Sequence, residues 1–135
     1  MKSPILEVGT RLILPLCLLL SLVLLWRGHN APGGGFVGGL VAAAGVMCHA
    51  IAHGEAAMRR VLLQVSPEAI AGLGLAFAAA SGMAALAGGD PYLTHRWLTT
   101  DGGFAVGTAL LFDLGVYLAV LGGVCTLLVR YLELP

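Results

Sequence analysis

AIAGLGLAFAAASGMAALAGG, residues 69–89, carries no charged side chain from end to end. A helix that crosses the hydrocarbon core of a bilayer needs about 20 mostly apolar residues. This run has that length, and Pro67 just before it suits the first turn of a helix. Working outward, three more stretches read the same way. One covers about 8–26, with Arg11 near its start, where a long side chain can reach the headgroups. Pro15 lies inside that run, which a lipid-embedded helix tolerates because neighbouring helices can re-satisfy the freed carbonyl. Another covers about 35–53. The last covers 102–129, interrupted only by Asp113, and is longer than a bilayer requires, so it is expected to tilt or project.

Composition agrees. The 135 residues are 59% hydrophobic and only 10% charged, whereas a soluble domain carries about 25% charged residues. Lipid is therefore the expected solvent for most of the surface. Seven basic and seven acidic side chains leave no net charge, and no clustered basic patch offers a footprint for nucleic acid. The expected fold is all-α, an integral membrane bundle of four transmembrane helices, with residues 1–135 forming a single membrane domain. The first run follows Lys2 and Arg11 as a secretory signal would, but it ends in Trp-Arg-Gly-His-Asn-Ala-Pro. That ending lacks the small-residue pattern of a cleavage site, so the run is read as an uncleaved helix. Cys17, Cys48 and Cys125 all lie in apolar runs, without a CxxC, and are expected as reduced, buried, small apolar residues.

The connections are short. Residues 54–68 carry Glu55 and Arg59 at i, i+4, and residues 90–101 carry Tyr92 and Trp97 as expected interface anchors. Lys2, Arg11, Arg59, Arg60 and Arg130 share one side of the membrane, while Arg27 and Arg96 share the other. Five against two places both termini in the cytoplasm by the positive-inside rule.

Three features could carry chemistry. The first is Gly28-His29-Asn30-Ala31-Pro32-Gly33-Gly34-Gly35-Phe36-Val37-Gly38-Gly39-Leu40, with overlapping GxxxG patterns at Gly34/Gly38 and Gly35/Gly39. Such spacing reads as a packing face for another helix. The alternative is an irregular backbone segment at membrane depth, which requires burial in protein or a water-filled cavity. A phosphate loop is excluded, because the preceding strand and the following Lys-Ser/Thr are missing. The second feature is Asp113, in Leu111-Phe112-Asp113-Leu114-Gly115-Val116-Tyr117. A carboxylate near the bilayer centre costs roughly 2.5–3.5 kcal/mol on insertion scales. It reads either as a proton or sodium ligand or a partner to a Lys or Arg of another chain, or as a structural group hydrogen-bonded to Tyr117 one turn away or to a backbone group. Gly115, Ala119 and Gly122 form a small-residue stripe nearly opposite Asp113. With two faces of one helix avoiding lipid, other membrane subunits are expected to cover what four helices cannot. The third feature is His49 and His53, one turn apart, with Cys48 and Glu55 nearby. HEXXH is absent and convergent ligands are too few for a metal site, so these read as polar side chains at a membrane interface. No nucleophile with an adjacent base, haem-attachment motif or nucleotide loop occurs. An enzyme, a cofactor and a bound metal are all not expected.

The glycine-rich stretch from Gly28 to Leu40 resembles the signature loop of one small component of the multisubunit Mrp-type sodium/proton antiporters, the MnhB/MrpB-like family. Leu111-Phe112-Asp113-Leu114-Gly115-Val116-Tyr117-Leu118-Ala119-Val120-Leu121-Gly122 resembles the end of the same family, with its Phe-Asp-x-Gly-Val-Tyr core. Order, separation, length and helix count all match, so the resemblance covers essentially the whole chain. It implies a small membrane subunit of a complex that exchanges sodium, or another monovalent cation, for protons across a bacterial or archaeal cytoplasmic membrane. Such a subunit is needed for assembly and transport, and its partners are the other antiporter subunits and the lipid bilayer. His29, Asn30, Pro32, Gly33, Gly34, Gly35, Phe36, Gly38 and Gly39 correspond to the family's loop, and Asp113 to its intramembrane acid, with Tyr117 beside it as a second relay candidate. His49, His53 and Cys48 lie outside the pattern. The alternative is a structural membrane subunit of a related complex, such as a membrane-bound hydrogenase.

Overall fold

A computed structural model describes residues 4–28, 33–94, 97–99 and 105–132. Among the described residues, four helices are long and apolar enough to cross a membrane: α1 (Pro4–Arg27), α2 (Gly35–His53), α4 (Pro67–Leu86) and α5 (Thr108–Leu132). A short helix, α3 (Glu55–Val61), follows α2. Two three-residue strands, β1 (Trp97–Thr99) and β2 (Ala105–Gly107), pair antiparallel, Leu98 opposite Val106. The chain is an all-α membrane bundle with one small hairpin.

Local chemistry accounts for the boundaries. Ser66 caps α4, its Oγ accepting from the Ala69 N–H at 3.3 Å, and Pro67 fills the first turn. Gly54 ends α2 at φ +87°, donating its N–H to the Ala50 carbonyl at 2.7 Å, and also opens α3. Several expected boundaries need correction: the first spanning helix already includes Pro4 rather than starting near Val8, and the last runs on to Leu132 past Val129. The third spanning helix stops at Leu86, not Gly89, because residues 87–89 turn and Gly89 takes φ +82°. The fourth begins at Thr108, not Gly102. Residues 105–107 pair with β1 instead of joining the helix, and Gly102 itself lies outside the described residues. Asp113 therefore stands in the second turn of α5, about 8 Å along it, rather than near the middle of a spanning helix.

Small residues decide how the helices meet. Within lipid there is no hydrophobic force between helices, so association depends on close backbone contact. Gly35 and Gly39 of α2 face Asp113, Tyr117 and Val120 of α5, in parallel register. Gly38 and Gly45 face Ser21, Leu25, Cys17 and Leu14 of α1 in the opposite sense. Gly74 of α4 lies against Gly115 and Ala119 of α5, and Gly122 against Pro67 and Ala71. Thus α2 and α5 run parallel, with α1 and α4 antiparallel to them, in the lateral order α1–α2–α5–α4. Half of the apolar stretch of α2 is buried, against 17% for α1, which places α2 at the centre. The core gathers Ala42, Ala43, Val46, Leu121 and Cys125, and Met58 of α3 closes its far end.

This packing removes one of the reasons for expecting other subunits. Both lipid-avoiding faces of α5 are covered by the chain itself, the Gly115/Ala119/Gly122 stripe by α4 and the Asp113 side by α2. Two-faced burial of this helix does not by itself require another subunit.

Candidate functional site

The two sequence motifs meet at one end of the bundle. At the close of α1 the Leu24 carbonyl accepts two backbone N–H groups, from Gly28 at 3.1 Å and from Gly34 at 3.0 Å. Gly28 and Gly34 touch so closely that a Cβ on Gly28 would overlap the Gly34 backbone. Gly34 has φ +99°, a region that L side chains seldom occupy. Its carbonyl accepts the first bond of α2, from the Gly38 N–H at 3.0 Å. The chain thus reverses sharply and enters α2 with the early N–H groups of that helix still lacking acceptors within it.

Asp113 stands against this turn. A Cβ built on Gly34 would lie 3.8 and 3.9 Å from the two carboxylate oxygens. At Gly35, a Cβ would overlap the Asp113 carbonyl, so only glycine lets the first turn of α2 sit on α5 here. The half-buried carboxylate therefore faces the positive end of the α2 dipole. A charge so placed gains about 0.3–1 kcal/mol, and up to about 2 in partly buried geometry. With its position near the start of α5, this explains how the bundle holds an acid inside an apolar run.

Tyr117, one turn along the same face, is 8% exposed. The expectation that it bonds Asp113 is corrected: its hydroxyl meets Ser21 Oγ of α1, 3.0 Å away. The Ser21 O–H donates to the Leu18 carbonyl at 2.7 Å, which leaves the tyrosine O–H to donate to Ser21. The ring reaches α1 across Gly38, where a Cβ would come within 3.3 Å of it. Sequence reasoning does not single out Ser21, although it is a hydroxyl within the apolar run 12–26, and the fold buries it completely. Phe36 belongs to the loop motif but is 57% exposed. Gly33 takes φ +159° beside the Leu24 carbonyl. His29, Asn30 and Pro32 lie outside the described residues.

At the other end of α2, about 21 Å away along the helix, the His49 and His53 rings stack with centroids 4.3 Å apart. Among the described residues no group of three potential ligands could hold a metal ion. The three cysteines are free thiols, Cys125 fully buried and Cys17 and Cys48 partly so.

Comparison with known proteins gives the family. Residues 5–126 match the family described as a domain related to the MnhB subunit of Na+/H+ antiporter. The chain belongs to the MnhB family. Among its relatives, the Na(+)/H(+) antiporter subunit of this type from Bacillus subtilis is 40% identical over 128 residues, covering 92% of this chain and 89% of that one. The subunit of the same name from Alkalihalophilus pseudofirmus is 34% identical, covering 92% and 88%. Among solved structures, the Mrp complex from Dietzia sp. contains a chain similar to this one with a TM-score of 0.76 and 34% identity. The match covers 92% of this MnhB-family chain but only 14% of that chain, so there the same unit is a small part of a much longer polypeptide.

Proposed function

We propose that this chain is a small membrane subunit of a multisubunit monovalent cation/proton antiporter, needed for its assembly and transport, with Asp113 as its ion-responsive group. The observation that carries the reading is the seating of the Asp113 carboxylate on the glycine turn that opens α2, which joins the family's two motifs in one place. A helix N-terminus favours the ionised form of a carboxylate beside it, so a movement of that terminus away from the carboxylate favours uptake of a proton or a cation. The relatives are named as Na(+)/H(+) antiporter subunits, which supports transport as the setting, and the Mrp complex supports other antiporter subunits as partners. The membrane is a bacterial or archaeal cytoplasmic membrane, with both termini on the cytoplasmic side. The subunit serves transport rather than catalysis of a covalent step.

The test is sodium/proton exchange in vesicles holding the complete complex, wild type against Asp113→Asn at matched assembly. Asn keeps the size and some hydrogen bonding but removes the charge. Loss of most exchange with the complex intact is the expected result. Unchanged exchange would show that Asp113 only clamps α2 onto α5 and that the subunit is a scaffold.

A further inference from the structure

The contacts around Asp113 close into a ring that passes through three helices. From Asp113 the path runs one turn along α5 to Tyr117, then across its hydroxyl to Ser21 of α1 at 3.0 Å. It continues one turn along α1 to Leu24, whose carbonyl holds the Gly34 N–H at 3.0 Å, and Gly34 faces the Asp113 carboxylate. The two hydrogen-bonded links are short, and the side chains of the central link are buried, Ser21 fully and Tyr117 at 8% exposure. Ser21 is itself fixed, because its O–H is committed to Leu18 at 2.7 Å. The α2 backbone fits inside the ring only because Gly35 and Gly38 lack side chains.

We infer that Ser21 is a positioning residue for Asp113: through Tyr117 it locks α1 to α5, and so sets where the glycine turn of α2 stands against the carboxylate. The inference rests on the proposed transport role of Asp113. If the Ser21 hydroxyl is removed, the buried tyrosine O–H loses its acceptor. With the lock on α1 released, Leu24 can shift, and Gly34 shifts with it. The carboxylate then meets a displaced dipole, and its readiness to exchange a proton for a cation changes.

The experiment measures the pH profile and half-saturating sodium of exchange in vesicles holding the complete complex, at matched assembly. Ser21→Ala, Ser21→Thr, Tyr117→Phe and the Ser21→Ala/Tyr117→Phe pair are compared with wild type. Loss of one buried hydrogen bond predicts a change of about threefold to tenfold in half-saturating sodium for Ser21→Ala, with a matching displacement of the pH profile. Ser21→Thr keeps the hydroxyl and restores wild-type behaviour. The double variant behaves like Tyr117→Phe alone, because Ser21 acts only through that phenol. Ser21→Ala with wild-type pH profile and half-saturation overturns the inference, as does a double variant whose effects add. Asp113→Asn separates the two ideas. If it abolishes exchange while Ser21→Ala changes nothing, the positioning role fails and the transport reading stands. If Asp113→Asn exchanges normally, the transport reading fails first.

Discussion

At the residue scale, the glycines divide into those that carry a contact and those that do not. A Cβ at Gly35 meets the Asp113 carbonyl, and one at Gly39 comes within 2.8 Å of the Tyr117 carbonyl, both rigid backbone atoms. At Gly72 and Gly123 nothing lies within 4 Å. Gly35→Ala and Gly39→Ala are expected to lower stability by about 1–3 kcal/mol each through overpacking. Gly72→Ala and Gly123→Ala should leave it unchanged or slightly raised, since alanine is the better helix former. Thermal unfolding midpoints of the purified complex check this, and equal effects at all four positions would contradict the packing described. In the sequence, Gly122 and Gly123 are indistinguishable neighbours, yet only Gly122 meets α4, against Ala71 and Pro67. The need for small residues on α5 was legible from Gly115, Ala119 and Gly122. Their partner was not, because a stripe of small side chains fits any helix backbone that comes close.

At the element scale, direction matters as much as packing. Because α2 and α5 run parallel, their positive ends lie at the same end of the bundle, and Asp113 lies among them. A hairpin of adjacent helices would have cancelled these dipoles, whereas here the central pair of helices is separated in sequence by α3 and α4. The junction between α3 and α4 is strained instead of neutral. Leu63 and Gln64 both take left-handed backbone, at φ 55° and 63°, without glycine. Their N–H groups donate to Arg60 and Arg59 carbonyls at 3.1 and 2.7 Å, which closes the end of α3. A left-handed L residue costs about 1–2 kcal/mol. Gln64→Gly removes that cost and gives some of it back as chain entropy. It is expected to raise stability by about 0.5–1 kcal/mol, seen as a higher midpoint in chemical or thermal unfolding. A lower midpoint would mean that the Gln64 side chain contributes a contact of its own.

At the scale of the whole molecule, topology is the property most open to direct measurement. Leu63 is 84% exposed in the connection that carries Arg59 and Arg60, and Tyr92 is 51% exposed in the connection after α4. On the proposed orientation, with both termini in the cytoplasm, the first of these connections lies inside and the second outside. In a chain whose native cysteines are replaced, a membrane-impermeant thiol reagent added to intact cells should label Tyr92→Cys and spare Leu63→Cys. The reverse pattern would invert the orientation.

Four apolar runs in a chain with 10% charged residues leave little choice but a membrane bundle, because a long uncharged helix is soluble only in lipid or in protein. That much the sequence determined alone, together with the presence of an acid in an apolar run and the family to which the two motifs belong. The tertiary structure decided which faces meet. It put Asp113 on the glycine turn, gave the Tyr117 hydroxyl to Ser21 rather than to Asp113, and covered both sides of α5 from within the chain. The physical reason is that apolar runs state a preference for solvent but no direction or partner. Those come from backbones approaching at single glycines, and from one buried hydroxyl finding another far away in the chain.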